Sequence, residues 1–241
     1  TRLPTLPTPG SMEEVSMSAT LTTPNVTDPD QILILDEITW DQYVTISDAL
    51  VDRHTPRMIY LDGSLTLLGT SRRHDWFAER LAQLVMAVAF GCGILLEDAG
   101  QATFRRKDQK AGVEGDKTFY FGPHAEQMLG PVNIDLSTQL PPDLAVEVEV
   151  THPADQALAI WGRLGVPEVW RFNPEADKVG FWHRQADGSY APIDHSLGLP
   201  VLTPADVLDQ MRLADALGLS RWHAQLGDWV RDVLVPRLGG S

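Results

Sequence analysis

"LPPDLAVEVEVTHPADQALAIW", Leu140 to Trp161, reads as an apolar strand that runs into a helix. Strand side chains alternate between faces. Leu144, Val146, Val148 and Val150 therefore share one face, and Asp143, Ala145, Glu147 and Glu149 share the other. The second face holds three carboxylates around one small residue, and the segment offers no basic partner. Thr151, with Pro153 at the first turn, opens a helix over roughly 153–164 that Gly165 closes.

Two explanations of the acidic face stand side by side. A sheet wetted on one side commonly carries a polar face, although carboxylates of one sign repel each other. The alternative is a divalent cation. Same-face positions two apart lie about 6.5–7 Å apart at the backbone, and Mg²⁺ or Mn²⁺ favours hard oxygen ligands. That spacing lets two of the carboxylates converge on one cation, with the Val148 backbone carbonyl as a further ligand. A further acid from a neighbouring strand is needed, and "AGVEGDKTFYFG" offers Asp116, with Glu114 just before it. A turn aspartate ahead of an edge strand would look the same.

Working outward, "ITWDQYVTISDALVD" predicts a helix, with Thr39 and Gln42 as a capping box. "RMIYLDGSLTLL" is two short apolar runs joined at Asp62-Gly63, a hairpin signal. "SRRHDWFAERLAQLVMAVAFG" predicts a long helix ending at Gly91, its apolar stripe formed by Phe77, Leu81, Leu84, Val85 and Val88. "GILLED", "QATFRR", "KTFYFG" and "LAVEVEV" are strand-like, as is "EVWRF". "KVGFWHRQADGSYAPI" is a hairpin turned at Asp187-Gly188. Thr203-Pro204 starts a helix to about Leu217. Ser220 is placed to cap a last helix carrying Trp222, Leu226, Trp229 and Val233. This order gives an α/β or α+β chain with a mixed sheet flanked by helices. Residues 1–30 are rich in Thr, Pro and Ser, with a tag-like Gly-Ser-Met at 10–12. They read as a flexible arm before a domain over 31–200 and a helical extension over 201–241.

The 241 residues carry a formal net charge of −14 with 43% hydrophobic residues. That charge argues against a protein that coats nucleic acid, because phosphate binding draws on Lys and Arg. It leaves room for a nuclease, in which acids gather at a metal and a few arginines supply local positive potential. Arg72 and Arg73, with Arg105, Arg106 and Lys107, are the candidate phosphate contacts. The one cysteine, Cys92, lies in an apolar stretch and reads as a structural thiol. No run approaches the ~20 apolar residues of a membrane helix, and no secretory signal is visible. A cytoplasmic protein is expected. The Trp-containing C-terminal helices make a homodimer plausible.

Several of these segments, in this order, resemble the Uma-two family of restriction endonucleases. They are "ITWDQY", "YLDGSLTLL", "SRRHD", "TFRRKDQKAGVEGDKTFYFG", "PPDLAVEVEVTHPAD" and "LGVPEVWRF". The family is similar to the PD-(D/E)xK nucleases, whose core is a mixed sheet between helices. The resemblance implies DNA as substrate, Mg²⁺ or Mn²⁺ as cofactor, and in-line attack by water on a phosphodiester. It implies Asp116 and Glu147 as metal ligands with Val148, Glu149 as a supporting acid, and His74 as a residue lining the site. It also exposes a departure. The lysine expected two residues past Glu147 is replaced by Glu149, and the helical alternative aligns with Ala157. Lys117 should point to the opposite face from Asp116, and Arg163 lies far along its helix. A nuclease-fold module that binds or regulates without cutting is therefore the alternative. The hydrolytic expectation requires that Asp116 and Glu147 meet around one cation. Engagement of both by arginine would defeat it.

Overall fold

The structure, a computed structural model, describes residues 19–20, 32–50, 56–128, 133–149 and 155–239. The expected helix start at Thr151 and Pro153, the strand residue Val150 and most of the N-terminal arm lie outside the described residues.

Two sheets form. The first contains β1 (Ala19–Thr20), β2 (Ile32–Leu35), β3 (Arg57–Leu61), β4 (Ser64–Leu68), β6 (Thr103–Arg106), β7 (Ala111–Glu114) and β9 (Asn133–Asp135), ordered β1-β2-β4-β3-β7-β6-β9. The second contains β5 (Leu96–Gly100), β8 (Lys117–Phe121), β10 (Leu144–Val148), β11 (Glu168–Asn173), β12 (Lys178–Arg184) and β13 (Tyr190–Ile193), ordered β13-β12-β11-β10-β8-β5. Both are mixed. β10 runs parallel to β11 and antiparallel to β8, and β6 runs parallel to β9. The helices are α1 (Trp40–Ala49), α2 (Arg72–Gly91), the short α3 (Pro123–Gln127), α4 (Asp155–Leu164), α5 (Pro204–Leu217) and α6 (Leu219–Trp229). α6 continues through a π-helical turn, Val230–Leu234, into a 3₁₀ turn, Val235–Gly239.

The alternation of β10 sorts the core. Leu144, Val146 and Val148 join the cluster under α2, α5 and α6, while Ala145 joins the cluster shared by α4, β6 and β7. The predicted stripe Phe77, Leu81, Leu84, Val85 and Val88 is buried against the first of these faces. A third cluster packs Tyr43 of α1 on Met58 and Tyr60 of β3 and Leu65 of β4, with the Tyr43 and Tyr60 rings stacked at 4.6 Å.

Local signals explain the turns between elements. Thr39 and Gln42 make the reciprocal capping box of α1, and Ser71 accepts from the His74 N–H at the start of α2. The β3–β4 turn puts Asp62 at φ 48° and Gly63 at φ 97°, the left-handed region that an Asp-Gly hairpin supplies with least strain. Thr203 and Asp206 cap α5 reciprocally. The last helix differs from expectation. Gly218 (φ 72°), not Ser220, is its N-cap, and no side chain caps it. Val233 is 41% exposed, whereas Val230 and Leu234 are buried. The π-helical turn shifts the helix phase after Trp229, so a stripe extrapolated at α-helical spacing misses its target. Among the described residues, no helix is long and apolar enough to cross a membrane.

Candidate functional site

The site is a seam. β7 of the first sheet ends at Glu114 and β8 of the second begins at Lys117, so Asp116 sits where the chain passes from one sheet to the other. β10 lies beside β8, and α2 starts with His74 on its first turn. Four elements thus deliver Arg57 (β3), His74 (α2), Asp116 (the β7–β8 link) and Glu147 (β10) to one place. Asp116 is fully buried, and the other three are 5–6% exposed.

Each polar atom of the acids has an assigned neighbour. Asp116 Oδ2 accepts from the Val148 N–H at 2.6 Å. Asp116 Oδ1 accepts from an Arg57 terminal nitrogen and lies 3.1 Å from His74 Nε2. The other Arg57 terminal nitrogen donates to the Glu114 carbonyl at 2.7 Å and lies 3.8 Å from Glu147 Oε2. Glu147 Oε1 accepts from Trp161 Nε1 at 2.7 Å, across the face shared with α4. Glu114 completes the surround. Its carboxylate accepts from the Met58 N–H and from Thr103 Oγ1, each at 3.2 Å.

The electrostatics follow from burial and these pairings. Burial alone would raise the Asp116 carboxyl, but the charges of Arg57 and His74 outweigh it and hold Asp116 below its usual range. Glu147 is pushed up to about 8, first by burial and then by the Asp116 charge. Burial would lower His74, yet its contact with Asp116 leaves it raised. Burial likewise lowers Arg57 less than Asp116, Glu147 and Glu114 raise it. The seam therefore holds an Asp116–Arg57 ion pair beside a Glu147 whose carboxyl is biased toward its protonated form.

The acidic face read from Asp143 to Glu149 is not wet. Its three carboxylates find separate partners from distant segments. Asp143 accepts from the Phe121 N–H at 2.7 Å and pairs with His124 Nδ1 at 2.7 Å. Glu147 takes Trp161 and Arg57. Glu149, one residue past β10, pairs with Arg171 of β11, so it faces that arginine and not Asp116. Lys117 points away from Asp116, as alternation required, and meets Glu79 of α2 at 3.0 Å. Arg163 pairs with Asp62 at 2.8 Å. Ala157 is buried in the α4 core.

The five candidate phosphate contacts fall into two groups. Arg72 and Arg73 open α2 beside His74. Arg73 lies 3.9 Å from Asp215 and stacks on the Phe77 ring, while Arg72 is exposed with no carboxylate partner among the described residues. Arg105, Arg106 and Lys107 lie along β6 and its following turn, paired with Asp48, Asp108 and Asp41 at 2.8, 3.1 and 3.6 Å.

Residues 40–216 match the Uma2 family, described as "Putative restriction endonuclease". The chain belongs to this family. A crystal structure of "a putative nuclease belonging to DUF820" from Anabaena variabilis ATCC 29413 is similar at 14% identity, with a TM-score of 0.46, over 76% of this chain and 97% of that one. No curated protein matches.

Restriction endonuclease-like proteins generally use a divalent metal, so the seam of this Uma2 chain must be tested for one. Its oxygen donors are of the right kind, but the arrangement does not fit. The Arg57 guanidinium stands between Asp116 and Glu147. The buried polar atoms left without a hydrogen bond here, Arg57 Nε and His74 Nδ1, are nitrogens, not oxygen ligands, and His74 Nδ1 has the Asp75 carboxylate 3.5 Å away. Among the described residues, no group of three or more His, Cys, Asp or Glu side chains is arranged to hold a metal ion. Arg57 is the residue that sequence reasoning missed. Its signal was faint: a basic residue at the head of an apolar strand, "RMIYL".

Proposed function

We propose that this chain works on DNA and that the seam of Asp116, Glu147 and His74 corresponds to the reaction centre of a nuclease. In its present arrangement it binds or regulates without cutting. The observation that carries this reading is Arg57, whose guanidinium pairs with Asp116 and stands against Glu147, the two acids that hydrolysis would need free. Ala157 supports it, because α4 brings no amine to Glu147. DNA would approach at the start of α2, where Arg72 is exposed one turn from the seam. The helix N-terminus adds partial positive charge there.

A metal-dependent endonuclease is the second reading. It is favoured by the convergence of Asp116 and Glu147 from adjacent strands. In that case Asp116, Glu147 and the Val148 carbonyl would be the metal ligands, and Mg²⁺ or Mn²⁺ would enter only after Arg57 had left.

Fluorescence anisotropy with labelled single- and double-stranded DNA, over a salt series, tests binding. Gel analysis with Mg²⁺ or Mn²⁺ tests cutting. The expected result is salt-sensitive binding with intact DNA. Arg72→Ala should weaken binding across sequences and lower the salt slope by about 1. Metal-dependent cleavage lost in both Asp116→Ala and Glu147→Ala would replace the first reading by the second. No DNA binding at low salt would reject both.

A further inference from the structure

We infer that Arg57 is a built-in cation: its guanidinium takes the place of a divalent ion between Asp116 and Glu147 and keeps the seam closed to metal until it is removed. The inference rests on identifying the seam with the nuclease centre of the proposed function.

The geometry is that of a filled site. One terminal nitrogen of Arg57 meets Asp116 Oδ1, and the other meets the Glu114 carbonyl at 2.7 Å and faces Glu147 Oε2 at 3.8 Å. A guanidinium is planar, permanently charged and forked, so it can span two carboxyl groups that a single lysine amine could not bridge in the same way. The remaining carboxylate oxygens are already satisfied, Asp116 Oδ2 by the Val148 N–H and Glu147 Oε1 by the Trp161 indole.

Arg57 is also anchored at its root. Its backbone pairs with Leu68 in the β3–β4 ladder, and the next residue donates its N–H to the Glu114 carboxylate. The side chain is 6% exposed, so it has no solvated position to occupy without leaving the interior. An incoming ion would have to displace a buried, paired charge. An ion entering beside Arg57 would instead sit against the guanidinium, facing two carboxyl groups whose other oxygens already accept from Val148 and Trp161. Repulsion disfavours both routes.

Removing the guanidinium reverses the balance. Asp116 Oδ1 and Glu147 Oε2 would then face a space with no cation, and both are hard oxygen donors. Calorimetric titration with Mn²⁺ alone, together with Mn²⁺ electron paramagnetic resonance, tests this on the full chain. Wild type should show no saturable Mn²⁺ site that depends on Glu147. Its melting temperature should be unmoved by Mn²⁺ or chelator. Arg57→Gln should gain one site at least about tenfold tighter than any wild-type binding, and Arg57→Gln with Glu147→Gln should lose it again. A wild-type site abolished by Glu147→Gln overturns the inference. So does a folded Arg57→Gln variant that gains no site. If Arg57→Gln does not fold alone, recovery of a cooperative melt in Mn²⁺ supports the inference and failure to recover overturns it. These readouts need no DNA, so they fail separately from the binding assays above.

Discussion

Burial and the neighbouring Asp116 charge both disfavour the Glu147 carboxylate, raising its folded-state pKa to about 8. An unfolded chain loses the proton near the ordinary value of 4.5. Between those values the native state binds one proton more than the unfolded state. The contribution is therefore full below about pH 4.5 and declines as pH rises toward 8. Asp116 has the opposite sign. Its folded pKa is depressed, so its contribution is present above the ordinary value and lost as pH falls through the folded one. Urea unfolding of wild type and Glu147→Gln at pH 5, 6, 7 and 8 separates the two. The variant should show a shallower decline, by up to about 1.4 kcal/mol per pH unit. Some slope should remain, since burial raises Glu114 and Glu168 as well. Identical slopes would mean that Glu147 is ionised in the native state. At this scale the sequence disclosed the acids but not their counter-ion. Asp116, Glu147 and His74 stood in recognisable local patterns, whereas Arg57 lies 59 positions from Asp116. Its role is created only when β3 and the β7–β8 link meet. Separations of 19–22 positions likewise hid the partners of Asp143 and Glu149, and made a mostly buried face look like a wet or metal-binding one.

Among the elements, α2 does two jobs. Its first turn presents His74 to Asp116, and its apolar stripe seats the helix on β10. Leu84 is fully buried within that stripe, so Leu84→Ala should cost about 2–5 kcal/mol in urea unfolding, through lost burial and an unfilled cavity. A cost below ~1 kcal/mol would mean that the helix can settle into the gap. This helix was readable because 20 residues keep one apolar period between a Ser cap and a terminal Gly. The hairpins at Asp62-Gly63 and Asp187-Gly188 were readable for a similar reason, since left-handed backbone there calls for particular residues. β7 was not. "AGVE" is four residues with two small side chains, and it becomes a strand because β3 and β6 pair with it on either side. Gly112 permits this closeness: a Cβ there would lie 2.2 Å from the Tyr43 hydroxyl of α1. The division into two sheets was hidden by the same feature. The switch occurs in two residues, Gly115 and Asp116, with no loop to mark it.

For the molecule as a whole, the balance of layers decides what holds the seam together. One face of the second sheet is covered by α2, α5 and α6, and the last two come from the segment after residue 200. Val207, Met211, Trp222 and Leu226 of these helices are buried in the same cluster as Leu84, Val146 and Phe181. Trp222 adds a hydrogen bond from its indole to Gln210 at 3.1 Å, and Arg237 ties the end of the chain back to Asp206 at 2.7 Å. Full burial of each large apolar side chain is worth about 1.5–3 kcal/mol. Four of them approach the ~5–15 kcal/mol that stabilises an ordinary domain. A chain ending at Pro200 should therefore lose its cooperative urea transition and its near-ultraviolet circular dichroism, and bind a hydrophobic dye through the uncovered face. If it instead melts cooperatively near the full-length midpoint, the C-terminal helices are an accessory and the 31–200 segment is stable alone. The choice matters for the seam, because α2 is held from one side by β10 and from the other by α5 and α6. If those helices are integral, their loss should release His74 from Asp116 along with the core.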